Sequence, residues 1–176
     1  AFGKPIIDPT QDIVLGVYYM TQQRVNCKGE GKTFSNPTEA IYAHEIGEVE
    51  LHAKINVRVS NHKGETKMYD CSPGRLILRE IIPAEIPFDE YNRVMDKKAL
   101  SELMDMCYRV AGNKRTVMLA DKMRSLGFEY ATRGGISICM QDMKIPKKKA
   151  ELLNSAYTEV QEIQNQYTEG LITDGE

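Results

Sequence analysis

The sequence predicts an α+β fold: a small antiparallel β-sheet packed with several helices, plus a protruding C-terminal helix of coiled-coil type. Three observations carry that prediction. Leu51, Ala53, Ile55, Val57 and Val59 alternate with polar residues, which is the two-residue period of a half-buried strand. Helix starts and stops punctuate much of the remainder. Residues 147–167 read as one uninterrupted helix, with Ala150, Leu153, Tyr157, Val160 and Tyr167 at 3-4 spacing and Ile163 beside them.

Taken in chain order, Pro9 disfavours helical geometry at Asp8, and Thr10 is the candidate cap of a short helix over 11–20. Gln11 and Asp12 then fall on its exposed first turn, ahead of the apolar run Ile13-Val14-Leu15. Asn26 to Lys32 is a glycine-rich turn. Ser35 and Asn36 are cap candidates for the next helix, with Pro37 in its first turn and Glu39 placed to reach back; Gly47 ends it. The alternating strand follows, then the turn Asn61-His62-Lys63-Gly64, then a second strand over about 65–71. Leu76-Ile77-Leu78 and Ile81-Ile82 form a third apolar stretch between Pro73 and Pro83. Asp96 caps a helix carrying Leu100, Leu103, Met104, Cys107 and Val110, which stops at Gly112. Thr116 caps another carrying Val117, Leu119, Ala120, Met123 and Phe128, broken by Gly134-Gly135. Ile136-Ser137-Ile138 reads as a brief strand. The last helix extends roughly 30 Å at its usual rise and ends at Gly170. It cannot bury its own apolar stripe, so the stripe predicts self-association or packing on a neighbour. The expected division is 1–145 and 146–176.

A chain of 176 residues with 41% hydrophobic content suits one packed domain with an appendage. Its 23 basic and 25 acidic residues argue against a free-standing, non-specific nucleic-acid binder, which needs a basic excess. Cys27, Cys71, Cys107 and Cys139 are widely spaced without a C-x-x-C pair, which argues against zinc and for reduced thiols. His44, His52 and His62 share no metal spacing, and no P-loop or Ser/His/Asp grouping is visible. No apolar run approaches the roughly 18 residues of a membrane span. The chain starts at Ala1 without Met and stops soon after a long helix, which predicts a piece of a larger protein.

Several runs point to one family. They include Pro9-Thr10-Gln11-Asp12, Asn26-Cys27-Lys28-Gly29-Glu30-Gly31, Pro73-Gly74-Arg75-Leu76, Ile82-Pro83 with Ile86-Pro87-Phe88, and Ala120-Asp121. The longest are Gly127-Phe128-Glu129-Tyr130-Ala131-Thr132-Arg133-Gly134-Gly135-Ile136-Ser137-Ile138 and Asp142 to Glu151, followed by Gly170-Leu171-Ile172-Thr173. In order and rough spacing the chain resembles β′, the largest subunit of bacterial DNA-directed RNA polymerase, across essentially all its residues. The resemblance implies the pore region that lines the secondary channel (1–145) and the first arm and tip of the rim helical hairpin (146–176). It also implies a cytoplasmic, nucleoid-associated setting and a nucleotidyltransferase complex with the rest of β′, β, ω and α, with DNA, RNA and nucleoside triphosphates.

The site residues follow from that resemblance. Thr10, Gln11 and Asp12 match the family's run beside the active centre; the amide and carboxylate either touch RNA or nucleotide or only cap the helix and brace its loop. No catalytic residue is assigned. The family's Mg²⁺ ligands form an Asn-Ala-Asp-Phe-Asp-Gly-Asp run, and this chain has no Asp-x-Asp-x-Asp; no cofactor or metal is therefore assigned here, and the isolated chain is expected to be inactive. Lys114 and Asp121 match positions that help bind ppGpp in some bacteria, although Arg115 stands where the family has proline and Ser125 where it has tyrosine. Arg133-Gly134-Gly135 and Lys147-Lys148-Lys149 are candidate anion contacts, or a tight connection and a solvated helix start. Tyr167, Gly170, Leu171 and Thr173 match the rim where Gre-type and DksA-like factors dock. The alternative reading is an independent α+β interaction module without enzymatic role.

Overall fold

The computed structural model describes residues 8–61, 64–173 and 175. His62 and Lys63 of the expected hairpin turn, and the opening residues from Ala1, lie outside them, as do Asp174 and Glu176. Two units form, Ala1–Ile136 and Ser137–Glu176.

In the first unit, helix α1 (Asp12–Thr21) leads through the glycine-rich turn to strand β1 (Thr33–Phe34) and helix α2 (Pro37–Glu45). The α2 start is as the sequence dictates. Asn36 accepts from the Glu39 N–H at 2.9 Å, and the Glu39 carboxylate reaches back to the Ser35 N–H at 2.8 Å. Strands β2 (Ile55–Ser60) and β3 (Thr66–Cys71) then pair antiparallel, from Ile55↔Cys71 to Ser60↔Thr66. The short β1 adds in parallel on the far side of β2, which makes the sheet mixed, in the order β1-β2-β3. In β2, Ile55, Val57 and Val59 are buried and their neighbours exposed, the alternation the sequence shows. Leu51 and Ala53 precede the strand; Ala53 makes only an isolated bridge to Arg24.

The third apolar stretch is helix α3 (Pro73–Ile81), opened by proline at its first position. Helix α4 (Phe88–Tyr91) is a single turn. Helix α5 (Lys97–Gly134) is capped by the Asp96 carboxylate, which accepts from the Ala99 N–H at 2.8 Å. Gly112, at φ 79 and ψ 173, interrupts it in a conformation open almost only to glycine. The expected stop at Gly112 is thus a break between two helical stretches. Thr116 does not cap the second stretch. Its hydroxyl lies one turn inside and donates to the Gly112 carbonyl at 3.0 Å. The core joins α1 (Val17, Met20), the sheet (Ile55, Val57), α3 (Leu76, Leu78) and α5 (Leu100, Met104, Leu119, Met123).

In the second unit a single 3-10 turn (Met140–Asp142) precedes helix α6 (Lys149–Thr168). Ile136-Ser137-Ile138 forms no strand, because an isolated three-residue run has no neighbour to supply ladder bonds. Every residue of α6 is exposed, Leu153, Tyr157, Val160, Ile163 and Tyr167 included. Gly170 ends it at φ 74: its N–H bonds the Tyr167 carbonyl, and the Leu171 N–H bonds that of Gln166, which is a Schellman closure.

Candidate functional site

Thr10, Gln11 and Asp12 form one exposed turn at the start of α1. Thr10 does not cap through its hydroxyl. Its backbone carbonyl accepts from the Ile13 N–H at 3.2 Å, and the cap position belongs to Gln11. Gln11 has φ 51 and ψ −124, which side-chain-bearing residues rarely adopt. The turn is pinned at its base. Pro9 is buried, and the Asp8 carboxylate accepts from the Ser101 hydroxyl of α5 at 3.2 Å. Replacing Gln11 by glycine relieves this strain, and is expected to raise the unfolding free energy by about 1 kcal/mol. Gln11→Ala, which keeps the strain, should leave stability near wild type. Urea midpoints of the two variants test the pair.

What holds α1 in place is glycine on both sides. Gly16 meets Gly127 of α5 so closely that a Cβ on Gly16 would strike the Gly127 carbonyl and lie 2.8 Å from the Ala131 nitrogen. A Cβ on Gly127 would lie 2.7 Å from the Ile13 carbonyl oxygen. On the α3 side, a Cβ on Gly74 would strike the Met20 carbonyl. Next to it Arg75, buried, donates from Nε to the Thr21 carbonyl at 3.0 Å and from Nη1 to the Asn92 carbonyl at 3.2 Å. The Thr21 hydroxyl donates to the Val17 carbonyl at 2.8 Å and accepts from the Met95 N–H at 3.0 Å. Burial lowers the Arg75 pKa from its usual value, with Cys71 and Asp70 pulling the other way. Burial likewise pushes the Cys71 thiol up to about 12, so it is an unreactive core residue.

Beyond α1, His52 stacks edge-on against Tyr19, with centroids 4.7 Å apart, and Tyr19 lies against Gly134. His52 Nδ1 lies 3.2 Å from the Gln22 carbonyl and must donate to it, which leaves Nε2 buried without a hydrogen-bond partner among the described residues. Burial pushes the His52 pKa down; the Gln22 carbonyl and Glu50 oppose this, while Arg24 and His44 add to it. In the unfolded chain the same histidine takes up a proton near pH 6.5. Below that pH the unfolded state holds more protons than the folded one, so stability present above it is lost as pH falls through the folded value. Thermal melting between about pH 7 and pH 5 should show this loss, and His52→Phe should flatten it. An unchanged slope would count against His52 as its source.

The other expected site residues fall on other elements. Lys114 and Asp121 are exposed on one face of the second stretch of α5, two turns or about 10 Å along its axis. Asp121 lies 3.9 Å from Arg124, Ser125 donates its hydroxyl to the Asp121 backbone carbonyl, and Arg115 is paired with Glu85. Tyr167, Gly170, Leu171 and Thr173 stand at the end of α6. Arg133 pairs with Glu129 at 2.6 Å, and Lys147 to Lys149 are exposed. Among the described residues no group of three or more His, Cys, Asp or Glu is arranged to hold a metal ion. Sequence reasoning missed the Gly16–Gly127 crossing and the Arg75 hub. A glycine in the middle of an apolar helical run was the available signal for the first.

The family model for RNA polymerase Rpb1, domain 3, matches residues 1–143. The chain belongs to that family. The DNA-directed RNA polymerase subunit beta' of Syntrophobacter fumaroxidans (strain DSM 10017 / MPOB) is 52% identical over 176 residues, which is 100% of this chain and 13% of that protein. The chain therefore corresponds to a segment of β′, and spans about an eighth of the length of the curated relative it matches. The α1 turn, the glycine crossing, Arg75, Lys114 and Asp121 all lie within the Rpb1 domain 3 match, and α6 lies beyond it. No described helix is long and apolar enough to cross a membrane.

Proposed function

We propose that this segment works as a non-catalytic part of DNA-directed RNA polymerase β′, lining the secondary channel through which nucleotides enter and backtracked RNA leaves. The observation that carries the reading is 52% identity to a β′ subunit along the whole chain. Residues 1–145 are the pore part, and 146–176 the first arm and tip of the rim hairpin. In this reading α1 serves as a mount: its buried face is locked against α3 and α5, and its exposed first turn offers Gln11 and Asp12 towards RNA or incoming nucleotide. Mg²⁺ and the phosphoryl-transfer chemistry belong to residues of β′ outside this chain. The partners are the rest of β′ with β, ω and α. Gre-type and DksA-like factors dock at Tyr167, Gly170, Leu171 and Thr173. Lys114 and Asp121 are the ppGpp contacts, weakened because no aromatic ring stands at Ser125 to stack on the guanine.

The test is reconstitution of the chain with β, ω, α and a β′ lacking these residues. Recovery of a complex that synthesises RNA is the expected outcome, with Gln11→Ala and Asp12→Ala lowering synthesis while the complex still assembles. A folded chain, shown by circular dichroism, that joins no complex would sink the proposal and favour an independent interaction module.

A further inference from the structure

A concave site lies beside strands β2 and β3, where the chain passes from α3 to α4. It is a cavity of about 630 Å³, within the size range of small-molecule sites. Its apolar lining is Val59 of β2, Ile82 and Ile86 between the two helices, and Phe88 and Tyr91 of α4, all of them buried. Three rings follow one another edge to face along it. The Tyr69 and Phe88 centroids are 4.9 Å apart, and those of Phe88 and Tyr91 5.2 Å. A flat apolar molecule packs well against such a set of rings.

Two hydrogen-bond donors of this lining stand open. Tyr91 is only 3% exposed, yet its hydroxyl makes no hydrogen bond among the described residues. A buried phenol normally finds a partner, and one without a partner calls for an explanation. Burial pushes its pKa up to about 12, with Arg79 pulling the other way, so near neutral pH the hydroxyl keeps its proton and can donate. Arg79 gives one N–H to the Ser60 carbonyl at 3.3 Å and has no ion pair among the described residues, which leaves further donors of its fork open. The acceptor side of the cavity is by contrast engaged: Asp89 holds Lys67 at 3.6 Å and accepts from the Tyr69 hydroxyl at 2.9 Å. Among the described residues of the lining, Lys67 and Arg79 stand against Glu65, Glu80 and Asp89, a balance that disfavours a further anion.

We infer that this cavity is a binding site for a small, uncharged aromatic molecule that carries a carbonyl oxygen. The ring lies against Phe88, Ile82 and Ile86, and the oxygen accepts from the Tyr91 hydroxyl on the side of the Arg79 cation. An acceptor is required because both open groups are donors, and a neutral one because the carboxylates of the lining outnumber its cations. This site is separate from the α1 turn and does not rest on the role proposed for it.

The test is an amide NMR titration of the full chain with the ketone 2-acetylnaphthalene. The expected result is saturable shifts centred on the amides of Val59, Ile82, Phe88 and Tyr91. Two comparison compounds, 2-ethylnaphthalene without the oxygen and the anion 2-naphthoate, should each bind about tenfold more weakly or worse. Tyr91→Phe should weaken the ketone by about tenfold. The same variant should melt at or above the wild-type temperature, because no hydrogen bond within the chain is lost with the hydroxyl. Absence of saturable shifts, equal affinity for the ketone and the ethyl compound, or unchanged affinity in Tyr91→Phe would overturn the inference. A clear fall in Tm for Tyr91→Phe would also count against it, by showing the hydroxyl to be bonded within the chain. Concentration-dependent shifts at the same amides without ligand would overturn it differently, by making a second copy of the chain the occupant.

Discussion

Gly16→Ala is expected to lower the unfolding free energy by about 3 kcal/mol or more, because the new methyl group meets backbone and has no flexible side chain to push aside. The Gly127 carbonyl and the Ala131 nitrogen both belong to α5, and a helix backbone cannot yield locally without moving as a unit. For a chain of this size the loss corresponds to a fall in Tm of roughly 6–12 °C. Gly127→Ala acts from the other side of the crossing, against Ile13. Once one methyl has forced the helices apart, the second has less left to displace. The double variant should therefore cost clearly less than the sum of the two singles, as expected for neighbours sharing one contact. Differential scanning calorimetry of the three variants checks this. Additive losses would mean that the two glycines act independently and that the crossing is not one contact. On the role proposed for Gln11 and Asp12, the same variants should also weaken recovery of RNA synthesis in the proposed reconstitution.

Much of this architecture is legible in the sequence where local chemistry decides it. Asn36 and Glu39 fix the start of α2, Asp96 the start of α5, and Gly170 the end of α6, because each act involves residues within one helical turn. The alternation of β2 is legible because one of its faces meets the core. Reading fails where a partner distant in sequence decides. Ile136-Ser137-Ile138 has strand composition and no strand to pair with. Thr10 has cap chemistry, yet the buried Pro9 and the strained Gln11 leave only its carbonyl to accept. In the candidate site, the exposure of Gln11 and Asp12 on the first turn of α1 was legible in the sequence. The contacts that hold α1 were not, because Gly16 meets Gly127, and Arg75 meets Thr21 and Asn92, only through the fold.

Arg75→Met should cost about 3 kcal/mol, by a mechanism unlike that of the glycine crossing. The bonds of Arg75 converge on acceptors in two different places. Nε holds the carbonyl of Thr21 at the end of α1, while Nη1 holds Asn92, whose amide in turn holds the edge of β3 at Asp70. Methionine fills much of the volume and spares the cost of a buried charge, but leaves the Thr21 and Asn92 carbonyls without this donor. Lysine keeps the charge but offers a point donor where a fork is needed, so Arg75→Lys should recover little of the loss. Thr21→Val removes the acceptor for the Met95 N–H and so loosens the same end of α1. If the hub acts as one unit, the Arg75→Met and Thr21→Val losses are non-additive by at least about 0.5 kcal/mol in guanidinium melts. Strict additivity would instead make Arg75 an anchor for the Asn92 segment alone. The position of α1 would then rest on its glycine contacts, and Gly74→Ala, which drives a methyl into the Met20 carbonyl, would become the most damaging change on the α3 side.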